Sequence, residues 1–75
     1  MSKNTAFSID LRQRFYRLVP EVFNQDGSIK PHTREARKQL ISVCFQIDRT
    51  GTYYGNVRTG ELNIAAVRNL IYALR

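Results

Sequence analysis

No glycine, proline or turn cluster interrupts the chain from Thr33 to Asp48, so this stretch is one element, and which element it is decides the fold. Two periods compete within it. Ile41, Val43, Phe45 and Ile47 alternate with Ser42, Cys44 and Gln46, as in a half-buried strand. Ala36, Leu40, Val43, Cys44 and Ile47 also recur at helical spacing, and Ile41 and Phe45 add a second pair four residues apart. A change from helix to strand needs a breaker and none is present. The sequence therefore predicts a helix over the whole stretch, capped by Thr33 with Glu35 in its first turn. Apolar positions on two sides make it the central element, covered by both neighbours. The alternative is an α+β domain with a β-hairpin formed by residues 41–57, turning at Asp48-Arg49-Thr50-Gly51.

The flanking segments read as helices too. Leu11, Phe15, Leu18 and Val22 make one apolar stripe, widened by Val19. Ser8 is a suitable N-cap with Asp10 in the first turn, so residues 1–7 are expected to fray. Asp10 with Arg14, and Arg17 with Glu21, are opposite charges four apart on the wet face, which leaves Arg12 the freer cation. Pro20 predicts a kink or restart at Val19–Pro20. Asn24–Ser28 is a turn around Gly27, and Pro31 holds Lys30 extended. The last helix runs from about Glu61 or Asn63, with Ile64, Val67, Leu70, Ile71 and Leu74 on its apolar face, Arg68 outside it, and Arg75 complementing the helix dipole. The expected fold is all-α: one three-helix domain spanning 1–75, with a long Gly/Tyr/Arg loop or short β-hairpin between helices 2 and 3.

Composition narrows the function. Seventy-five residues leave a thin core and little material for an enzyme cleft. No run approaches the roughly 18 apolar residues a membrane helix needs, and Met1–Phe7 has no apolar leader core. A lone cysteine, Cys44, on an apolar stripe fits packing in a reducing compartment, so a cytoplasmic location is expected. Lys and Arg number 12 against 6 Asp and Glu, a formal net charge of +6. The excess is spread along the chain, so it is not a basic tail. Nine of the 12 cations are Arg, which favours forked contacts to phosphate or carboxylate.

No nucleotide-binding or metal fingerprint is present; one Cys and one His are too few for zinc, and no cofactor is implied. His32, beside Pro31, reads as a solvated loop residue. The six carboxylates are scattered over caps, turns and helix pairs, so no acid/base couple is expected and the chain is not read as an enzyme. A helix-turn-helix fits poorly, because the link after helix 2 is too long and the one after helix 1 holds Pro31; a winged variant, with residues 52–62 as wing, requires a real hairpin.

The segment 48–60 is the most informative. Arg49, Tyr53, Tyr54, Asn56 and Arg58 are interleaved with Gly51, Gly55 and Gly60. Arginines bind phosphate, tyrosines offer stacking faces, and glycines let backbone amides approach a ligand. The competing reading is that the tyrosines seal the edge of the core. Arg34, Arg37 and Lys38, near the start of helix 2, extend the basic footprint, together with Lys30. The expectation is a small basic nucleic-acid-binding regulatory protein, with DNA and RNA undistinguished. The alternative is a protein-interaction module, either a homo-oligomer or an adaptor docking on an acidic protein surface, because apolar positions on helix 2 and at Tyr16 and Phe23 exceed what three short helices cover.

Overall fold

The computed structural model describes residues 2–74, with side chains from residue 9 onward. Its elements are α1 (Ser2–Val22), α2 (Arg34–Ile47), β1 (Gly55–Asn56), β2 (Glu61–Leu62) and α3 (Ile64–Ala73). The central stretch is the helix its unbroken sequence implies. Thr33 caps it, its hydroxyl accepting from the Ala36 amide at 3.1 Å, and the Asp48 amide closes the other end on the Cys44 carbonyl. The two antiparallel strands pair Gly55 with Leu62 and Asn56 with Glu61.

The core is built where the stripes meet. Leu11, Phe15 and Val22 of α1 are buried with Ala36, Leu40, Val43 and Cys44 of α2 and with Val67, Leu70 and Ile71 of α3. Ile41 lies on the second side of α2, fully enclosed, against Gly55 of the hairpin. That contact explains why α2 is apolar on two sides: α1 and α3 cover one and the hairpin covers the other. Phe23, expected to lie outside the core, is buried and bridges to Ile29. Ile64, expected on the packing face of α3, is exposed instead.

Three local expectations are corrected. The first helix starts at Ser2 rather than Ser8. No glycine or proline lies between these positions, and extending an anchored helix costs far less than nucleating one. Pro20 does not force a restart; it sits in the last turn of one continuous helix, two residues before its end. Arg14 pairs with Asp10 at 3.6 Å, but Arg17 and Glu21 form no ion pair. Arg75 lies outside the described residues.

The two links differ in build. In the first, the Asn24 and Ser28 backbones bond to each other at 2.7 Å, and Asp26 accepts from the Ser28 amide and hydroxyl. Those bonds hold the Asp26 carboxyl below its usual range. The second link is tied across longer distances. Asn63 caps α3 by accepting from the Ala66 amide, donates its side-chain amide to the Tyr53 carbonyl at 2.8 Å, and donates its backbone N–H to the Tyr54 carbonyl. Among the described residues no helix is long and apolar enough to cross a membrane.

Candidate functional site

The residues singled out in the sequence divide among three places. Arg34 and Arg37 project from the first turns of α2 against the hairpin turn, where they line an open groove of about 700 Å³ with Asn56, Thr59, Gly60 and Glu61. Arg34 donates from Nη2 to the Thr59 carbonyl at 3.0 Å. Arg37 Nε is buried there without a hydrogen-bond partner. Gly60, at φ +80, leaves the room these side chains occupy: a Cβ there would stand 3.3 Å from Arg34 Nε. Lys38 follows on the same helix, half-buried, and Arg58 is exposed on the hairpin turn.

Asn56 shapes this turn, its side-chain oxygen accepting from the Arg58 amide at 2.9 Å and the Thr59 amide at 3.3 Å. Arg58 therefore rides on a fixed turn. Arg49 is elsewhere. It belongs to a second groove of about 510 Å³, with Phe45, Val57, Ser42 and Gln46.

The tyrosines separate. Tyr54 is 3% exposed and packs edge-on against Phe45, with ring centroids 5.7 Å apart. Its hydroxyl donates to Asp48 Oδ2. Burial above all, with the Asp48 contact, pushes the Tyr54 hydroxyl up to about 12, while the bonds from Tyr54 and Thr50 hold the Asp48 carboxyl low. An enclosed ring cannot receive a base, so the stacking role expected of Tyr54 does not fit this geometry; the edge-sealing role does. Tyr53 is 48% exposed, and its hydroxyl donates to Glu61 Oε1 at 2.6 Å, a contact that raises its pKa.

A third groove, of about 410 Å³, runs between α1 and α2 and is lined by Arg14, Arg17, Gln39, Ser42 and Gln46 over Leu18 and Val43. Sequence reasoning passed over it, because Arg14 and Arg17 were assigned to pairs within their own helix. The available signal was the polar stripe Gln39–Ser42–Gln46, spaced three and four apart on α2.

Among the described residues Arg14–Asp10 is the one ion pair; Arg17, Arg34, Arg37 and Arg49 touch no carboxylate, although Glu61 lines the groove of Arg34 and Arg37 and Asp48 that of Arg49. No group of His, Cys, Asp and Glu among them is arranged to hold a metal. Cys44 is fully buried, and burial pushes its thiol up to about 12. His32 is half-buried rather than solvated, with Nδ1 at 2.8 Å from the Lys30 carbonyl. Comparison of the chain with family models, with curated proteins and with solved structures finds no match.

Proposed function

We propose that the protein is a small, non-catalytic nucleic-acid-binding factor of the cytoplasm that grips phosphates through arginines. The observation that carries this reading is the meeting of a concave surface with arginines that form no ion pair. Arg34 and Arg37 from α2 meet the Arg58-bearing hairpin turn around one groove; Glu61 lines it too, bonded to Tyr53, but forms no ion pair with any of the three. Arginines held on two rigid elements suit the spaced charges of a phosphodiester chain. Lys38 extends the footprint along α2.

Fluorescence anisotropy with a generic oligonucleotide over a salt series tests this. Binding at about 50 mM salt that falls steeply with added salt is expected; no binding there removes the reading. Arg34→Ala/Arg37→Ala/Arg58→Ala should weaken binding to every sequence alike. Parent-like affinity in that variant would show the site to be elsewhere.

A second reading rests on Phe45 and Val57, large apolar side chains 37% and 43% exposed on one groove beside Arg49. Apolar surface next to arginine also suits a protein partner with an acidic rim, or a second copy of this chain. A mass by light scattering that rises with concentration would favour the homo-oligomer.

A further inference from the structure

The grooves holding Arg17 and Arg49 are neighbours: both include Ser42 and Gln46, so they join across the outer face of α2. Arg14 and Arg17 stand at one end of this path and Arg49 at the other, and Arg17 and Arg49 form no ion pair or side-chain hydrogen bond. Between them an uncharged polar stripe, Gln39, Ser42 and Gln46, runs beside apolar floor from Leu18, Val43 and Phe45. Gln46 donates from Nε2 to Ser42 Oγ at 3.2 Å, which leaves its carbonyl oxygen and second amide hydrogen unused. Gln39 has no partner among the described residues. Phe45, pinned edge-on to Tyr54, keeps part of its ring in the open beside Arg49.

We propose that this face of α2 is a track for single-stranded nucleic acid, with Arg17 and Arg49 on phosphates at its ends and Gln39 and Gln46 meeting base edges between. The inference rests on the nucleic-acid reading above and names a surface separate from the Arg34–Arg37 groove. The division of labour follows from chemistry. A guanidinium suits a phosphate, whereas a glutamine amide carries a donor and an acceptor side by side, as base edges do. Phe45 adds apolar ring surface for a base. Asp48 borders the track at the Arg49 end, and its carboxylate, kept ionised by the bonds from Tyr54 and Thr50, repels phosphate there, so a phosphate must sit on the side of Arg49 away from it. The Gln39–Ser42–Gln46 stripe lies in a concavity walled by the arginines of α1. An unstacked base can offer its edge and its face to such a concavity together, as a paired, stacked one does not.

The test is anisotropy of labelled single-stranded homopolymers and of a duplex, with far-UV circular dichroism confirming that each variant is folded. The parent should prefer single strands. Arg17→Ala/Arg49→Ala should weaken single-strand binding by roughly tenfold or more and flatten the log–log salt slope by ~1.4, two phosphate contacts' worth. Gln39→Ala/Gln46→Ala should leave that slope unchanged and level the preference among homopolymers. Equal affinity for duplex, or a folded Arg17→Ala/Arg49→Ala variant that binds like the parent while Arg34→Ala/Arg37→Ala/Arg58→Ala does not, overturns the track and leaves the broader reading standing. A parent that binds no oligonucleotide at low salt overturns both, and binding of an acidic peptide instead assigns the face to a protein.

Discussion

The two links between helices solve the same problem by different means. The Phe23–Thr33 link closes on itself through neighbours in sequence: Asn24, Asp26 and Ser28 bond to one another and to the local backbone. The Asp48–Asn63 link sends a tyrosine ring into the core and sets a glycine against α2, and a single asparagine ties its middle to the next helix. The first link buries only its opening residue, Phe23, and is otherwise a surface turn. The second is part of the core, and the helices depend on it. A long loop in a small domain can thus be structural along its inner edge and available along its outer one.

The sharpest way to break this contrast is at Gly55. Its φ is +145, and a Cβ there would collide with the Glu61 carbonyl and stand 2.8 Å from Ile41 Cδ1. Gly55→Ala should cost about 3 kcal/mol or more, read from urea midpoints, because strain and overlap with a packed core act together. Gly27→Ala, at φ +89 in the first link, meets only the ends of the Tyr72 and Arg68 side chains and should cost about 1 kcal/mol. Similar losses at the two glycines would erase the distinction.

Tyr54→Phe comes next. It keeps the ring and removes the bond to Asp48, for a loss of about 1 kcal/mol. Titration separates this bond from packing. The Tyr54 hydroxyl is raised from 10.0 to about 12, so the unfolded chain releases that proton first. Its stabilising effect is complete below pH 10 and lost as pH rises toward 12. Cys44, raised from 9.0 to about 12, has the same sign and begins to act at lower pH. Alkaline unfolding followed by circular dichroism should therefore change shape in Tyr54→Phe. The carboxylates act oppositely: Asp48 and Asp26 are held low in the fold, so their contribution is present above the usual 3.8 and fades on acidification below it.

Asn63→Ala should cost about 1 kcal/mol through the lost cap, with a further loss from the freed Tyr53 carbonyl. Tyr53→Phe should leave the denaturation midpoint unchanged, since its hydroxyl and Glu61 both face water. The adjacent tyrosines would then mark the inner and outer edges of the loop.

The helices were legible because each carries its own periodicity: Thr33 and Asn63 cap α2 and α3, and the unbroken run favours a helix over the strand that the alternation at 41–47 also allowed. The first turn of α1 was misread because a good capping residue, Ser8, does not stop a helix that can be extended backwards. The site was legible only in part. Arg34 and Arg37 meet the hairpin turn that carries Arg58, but a meeting of residues about twenty apart has no local signature, and Arg49 is carried away to another groove. Tyr53 and Tyr54 are identical in composition and opposite in environment, a difference set by which side of the extended chain faces Phe45.

The buried thiol has a practical consequence. Cys44 is sealed among α1, α2 and α3 side chains and holds its proton far into the alkaline range. A thiol reagent meets it only in molecules that have come apart. The rate of labelling therefore clocks how often the native protein opens, with no added probe, and a bound ligand would announce itself by slowing that clock.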